Sequence, residues 1–244
     1  MRFNLSIIRA LFAFSLAVPF ALAQENVFVP NRPAKPLRFC TLAKKWVEYA
    51  EADSNLVEIS HLESIHLDMR YATFDNITGH DLYCGMQRAF IHKDALPKLK
   101  LAIQYLKKDL PGFKFVIFDA SRPMYAQAAL KASVAGTPFT NYVSSGKTGG
   151  LHNYGLALDI GLLDSEGRLL DMGADFDSFE DCAGSQGESR ALKSGRLTSE
   201  QIENREKLRR VMKRAGWVPL GSEWWHFNVY SRSYTKEHYT LFPI

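Results

Sequence analysis

The stretch Gly149-Gly150-Leu151-His152-Asn153-Tyr154-Gly155-Leu156-Ala157-Leu158-Asp159-Ile160-Gly161-Leu162-Leu163 joins a glycine-rich loop to an apolar run interrupted by a single carboxylate. Gly155 to Leu163 has the short, apolar composition of a buried strand. Asp159, set between Leu158 and Ile160, would be costly to bury as an unpartnered anion. A metal ion would supply the partner, with His152, seven residues upstream, as a second ligand. Two plainer fates remain open for Asp159: it faces solvent, or it pairs with an arginine.

Toward the C-terminus, Ser222-Glu223-Trp224-Trp225-His226-Phe227 places a carboxylate and an imidazole three positions apart in an aromatic run. Aromatic walls raise a carboxylate's pKa toward the range useful to a general base. Alone, a Glu-x-x-His pair says little. With the first stretch it gives His152, Asp159 and His226 as ligands and leaves Glu223 to act on a water. Three nitrogen and oxygen ligands with an open fourth position suit a catalytic zinc. No His-Glu-x-x-His helix occurs, so the common zinc-protease signature is absent. Upstream, Phe118-Asp119-Ala120-Ser121-Arg122-Pro123 follows an apolar strand, and Arg122 is placed to hold a carbonyl oxygen as charge develops on it. The plainer reading is a salt bridge with Asp119.

Around these sites the pattern mixes helices and strands. Val57 to Tyr71 contains strand-like stretches, Phe113 to Phe118 is a short apolar strand, and Ser222 to Tyr230 reads as an aromatic one. Leu96 to Leu110 has helical spacing and stops at Pro111-Gly112, and Pro123 opens a helix through Val134. Thr198 and Gln201 form a capping box for a helix to Ala215, ended by Gly216. Without a regular βαβ rhythm, the expected class is α+β.

The combination resembles the D-alanyl-D-alanine dipeptidases of the zinc D,D-peptidase superfamily. That superfamily's pattern, Ser-x-His-x-x-Gly-x-Ala-x-Asp followed by Glu-x-x-His, corresponds to Gly150 through Asp159 and Glu223 through His226. Asp68-Met69-Arg70-Tyr71-Ala72-Thr73 with Asp75-Asn76-Ile77-Thr78-Gly79, Arg122-Pro123, and Met172-Gly173-Ala174-Asp175-Phe176-Asp177 are similar to blocks of the dipeptidase branch. So are Asn204-Arg205 to Gly216 and the ending Phe242-Pro243. The matches run from about residue 57 onward. The resemblance implies a single α+β domain over residues 38–244, with a central, mainly antiparallel sheet flanked by helices, as in the hedgehog-like fold. It implies one zinc ion per chain on His152, Asp159 and His226, with Glu223 as base. Arg122 would stabilise the tetrahedral intermediate, and Asp177 would receive the substrate ammonium. Three positions depart from the pattern: Gly150 for serine, Ser121 for tyrosine before Arg-Pro, and Tyr154 where arginine is common. An alternative within the superfamily is a carboxypeptidase or endopeptidase acting on longer wall peptides. Outside catalysis, the alternative is a wall-binding module, which would predict a broken ligand set.

At the N-terminus, Arg2 and Arg9 precede the apolar run Leu11 to Ala23, which ends Ala21-Leu22-Ala23 before Gln24. This reads as a cleaved secretory signal and an expected periplasmic or secreted location. Residues 24–37, with Pro30, Pro33 and Pro36, read as an extended arm. The chain has 30 basic and 26 acidic side chains; without Arg2 and Arg9 the formal charge falls from +4 to +2. Such a balance excludes a dedicated nucleic-acid binder. At 46% hydrophobic residues, the chain is also not disordered. The partner expected is a small dipeptide, with no membrane insertion after cleavage. Cys40, Cys84 and Cys182 allow one bridge and one free thiol, in any of three pairings.

Overall fold

A computed structural model describes residues 36–243, with side chains from Arg38 onward. The expected signal peptide and the arm as far as residue 35 lie outside the described residues; Pro36 and Leu37 already belong to a helix. In chain order the first elements are α1 (Pro36–Ala52), β1 (Leu56–Glu58), β2 (Ile65–Leu67), β3 (Phe90–His92), α2 (Leu96–Asp109) and β4 (Lys114–Asp119). There follow α3 (Met124–Ser133), β5 (Ala157–Leu163), α4 (Glu188–Lys193), α5 (Ser199–Arg214), β6 (Val218–Pro219), β7 (His226–Asn228) and α6 (Arg232–His238).

The strand expected at the centre of the sequence is central in space. All seven residues of β5 are buried, and the strand lies third in a five-stranded sheet of order β2-β4-β5-β7-β6. Only β2–β4 is parallel; the other three pairings are antiparallel. Burial on both faces explains why β5 is apolar throughout rather than alternating. A small β1–β3 ladder stands apart. The core joins Leu99, Ile103 and Leu106 of α2 and Leu208, Val211 and Met212 of α5 to the buried side chains of β4 and β5. The architecture is therefore α+β with a mainly antiparallel sheet. A disulfide links Cys40 of α1 to Cys84, and Trp46 of α1 packs with Phe242 near the C-terminus; Cys182 is a buried free thiol.

Two elements differ from the sequence reading. The aromatic segment Ser222–Tyr230 is a strand only at His226–Asn228. Residues 222–225 form a turn, because the Trp224 indole N–H donates to the Ala174 carbonyl at 2.9 Å and the Trp224 amide to the Ala183 carbonyl at 2.9 Å. Pro123 is the residue before α3 rather than its first, with an extended backbone (ψ 153°). No helix among the described residues is long and apolar enough to cross a membrane.

Candidate metal centre

Two of the three expected ligands are cross-strand neighbours. Asp159 on β5 pairs in register with His226 on β7, and on its other side with Asp119 at the end of β4. The β4–β5 register shifts between Ile117 and Asp119, so Asp119 rather than Phe118 lies opposite Asp159. Such an irregularity re-aims a side chain. His152 arrives from a short 3-10 turn, Leu151–Tyr154, directly before β5. The turn ends at Gly155, whose φ of +67° is left-handed, and a Cβ there would come within 2.6 Å of the His92 amide nitrogen. Only glycine fits. The Asn153 side chain holds the turn by accepting from the Gly150 amide at 2.7 Å and donating to the Arg122 carbonyl at 2.7 Å.

The three ligand atoms converge, lying within 4.8 Å of one another. His152 Nε2 and His226 Nδ1 lie 3.2 and 2.9 Å from Asp159 Oδ1, and 3.1 Å apart. Both imidazoles are fixed from behind. His152 Nδ1–H donates to the Ala120 carbonyl at 2.7 Å, and His226 Nε2–H to Asn228 Oδ1 at 2.8 Å. Each bond leaves the opposite nitrogen's lone pair aimed at the common centre, the arrangement that orients metal ligands. The donor set, its burial and its tautomers fit a divalent ion. Burial alone would raise the Asp159 pKa, but His152 and His226 hold it well below the usual carboxylate range.

Glu223 stands beside this group, its carboxylate 3.8 Å from His226 Nδ1 and bonded to no described donor. Burial pushes its pKa up, against the pull of His226. Arg122 is buried and shared: Nε donates to Asp119 at 2.7 Å, Nη1 to Gln127 at 3.0 Å and Nη2 to Asp159 at 3.3 Å. Both plainer expectations are thus also realised, since Arg122 pairs with Asp119 and Asp159 with Arg122. Asp177 lines the same cavity in a left-handed conformation (φ 62°) and accepts the Tyr71 hydroxyl at 2.9 Å. Burial pushes its pKa up to about 8, with Arg122 opposing and Asp159 adding to the rise. Left-handed backbone at a non-glycine residue is strain that surrounding contacts must hold.

All six expected site residues therefore line one cavity of about 520 Å³. Of the three departures, only Gly150 lines it; Ser121 and Tyr154 are buried behind. A Cβ at Gly150 would sit 3.0 Å from Ser144 Oγ, so a hydroxyl from six residues earlier in the same loop occupies the neighbouring space. Tyr71, Gln127 and Asn228 were not singled out from the sequence. Tyr71 lay inside a block resembling the dipeptidases, and Asn228 follows His226 at the two-residue period of a strand face. Gln127 carried no signal.

The D-ala-D-ala dipeptidase family profile matches residues 54–243. A D-alanyl-D-alanine dipeptidase of Escherichia coli (strain K12) is 36% identical over 68% of this chain and 79% of its own length. A D-alanyl-D-alanine dipeptidase of Enterococcus faecium is 26% identical over 78% of this chain and 96% of its own length. One from Enterococcus faecalis (strain ATCC 700802 / V583) is 25% identical over 74% and 93%, respectively.

Proposed function

Because the chain belongs to the D-ala-D-ala dipeptidase family of metallopeptidases, we propose that it hydrolyses D-alanyl-D-alanine or a related wall-derived dipeptide, with zinc held by His152, Asp159 and His226. The observation that carries this reading is the convergence of three tautomer-fixed ligand atoms beside Glu223, a part-buried carboxylate with no hydrogen-bond donor among the described residues. Zinc bound there supplies Lewis acidity, polarising the scissile carbonyl and acidifying a water.

The chain's own residues do the rest. Glu223, its proton affinity raised by burial, takes the proton of the attacking water and returns it to the leaving amine. Arg122 stays charged among Asp119, Asp159 and the ring of Tyr71, 5.0 Å away, and donates to the oxygen on which charge develops. Asp177, held by the Tyr71 hydroxyl, receives the substrate ammonium. A carboxylate at a fixed distance from the scissile bond admits dipeptides and rejects chains extended at the amino end. Export to the periplasm or beyond belongs to the same proposal. Its support is the basic-apolar start of the chain and the Cys40–Cys84 bridge, which requires an oxidising compartment.

The test is Glu223→Ala. The variant is expected to retain one zinc per chain by elemental analysis while kcat on D-alanyl-D-alanine falls roughly 10²–10⁴-fold. Wild-type turnover in that variant sinks the mechanism.

A further inference from the structure

A free dipeptide is a zwitterion, and its C-terminal carboxylate still lacks a partner. Two guanidinium groups line the cavity, Arg122 and Arg232. Arg122 is bonded to Asp119, Asp159 and Gln127, and its remaining donors are taken by the oxyanion in the reading above. Arg232, at the start of α6, makes no ion pair with any carboxylate of the described residues. Its donors reach only two neutral oxygens, Ser144 Oγ at 3.4 Å and the Gly149 carbonyl at 3.3 Å. Both distances lie at the weak end for N–H···O bonds, so a carboxylate can displace them.

The position is also apt. Gly149 and Gly150 run directly into the His152 turn, and α6 follows β7, which carries His226. Arg232 is thus tied at both ends to the metal ligands. It shares the cavity with Asp177 without meeting it in an ion pair. The bare Cα of Gly150 leaves Ser144 Oγ facing the same space.

We infer that Arg232, with the Ser144 hydroxyl beside it, binds the C-terminal carboxylate of the dipeptide and defines the second end of the substrate. The inference rests on the dipeptide reading above. A planar guanidinium suits a carboxylate bidentately, and Ser144 adds a neutral donor.

Steady-state kinetics of the zinc-loaded protein with D-alanyl-D-alanine and with its C-terminal amide provide the test. Wild type is expected to favour the acid. Arg232→Ala raises KM for the acid about 10-fold or more with little change in kcat, and affects the amide far less, so the acid preference collapses. Arg232→Lys keeps part of it. Calorimetric binding of both compounds to Glu223→Gln, with and without Arg232→Ala, reports the same ratio without turnover. A loosened loop instead weakens both substrates alike. An unchanged acid-to-amide ratio in an active enzyme overturns the role of Arg232 and leaves the dipeptidase reading intact. Wild-type inactivity on both compounds overturns that reading, and the inference with it.

Discussion

A histidine offers a metal one nitrogen, and the proton on the other decides which. In His226 that decision belongs to Asn228, whose side-chain oxygen takes the Nε2 proton at 2.8 Å and turns Nδ1 toward Asp159 and His152. Asn228→Leu removes the acceptor without touching a ligand. Zinc affinity, measured by competition with a chromophoric chelator, should fall roughly 10–100-fold. Asn228→Asp keeps an acceptor and should bind near wild type; equal affinity in the leucine variant removes Asn228 from the centre. That His152, Asp159 and His226 come together was legible in the sequence because a lone aspartate in an apolar strand demands a partner. Their supports were less so, since a carbonyl such as that of Ala120 leaves no mark on residue identity.

At the scale of elements, α5 does more than fill the core. Its cap is reciprocal: Thr198 Oγ1 accepts from the Gln201 amide, and Gln201 Oε1 accepts from the Thr198 amide. Along one side, Asn204 donates to the Asp171 carbonyl at 3.0 Å, and Arg205 to the carbonyls of Met172 at 2.7 Å and Cys182 at 2.8 Å. These bonds grip both ends of the segment that carries Asp177. Arg205→Met leaves two carbonyls without their donor, and should cost about 3 kcal/mol in urea denaturation and raise KM for the dipeptide. A variant of undiminished stability shows that packing alone holds the segment. The helix was readable from its caps and spacing, as was α2, because both depend on local signals. The segment from Asp171 to Cys182 was not, because its shape comes from long-range bonds to α5 and to Trp224. The same cause shortened the aromatic strand to three residues.

Over the whole molecule, the chain closes on itself through α1. Its Cys40 is joined to Cys84 across 44 residues, and Trp46 packs with Phe242, whose amide donates to the Asn153 carbonyl in the turn that carries His152. The pairing could not be read from the sequence, since three cysteines permit three bridges and only the fold brings two together. Replacing Cys40 and Cys84 by serine should lower stability by about 2–4 kcal/mol, seen as an earlier urea midpoint. Zinc content should be unchanged, because neither sulfur approaches the centre. An unmoved midpoint assigns the tethering of α1 to its packing alone.

Asp119, Asp159 and His226 form a polar rung across three hydrogen-bonded strands, while Gly150, Ser121 and Tyr154 all lie off it. The sheet therefore places Asp159 and His226, while the connections beside it place His152, Arg122 and Glu223, so the group assembles only where strand register and loop path agree.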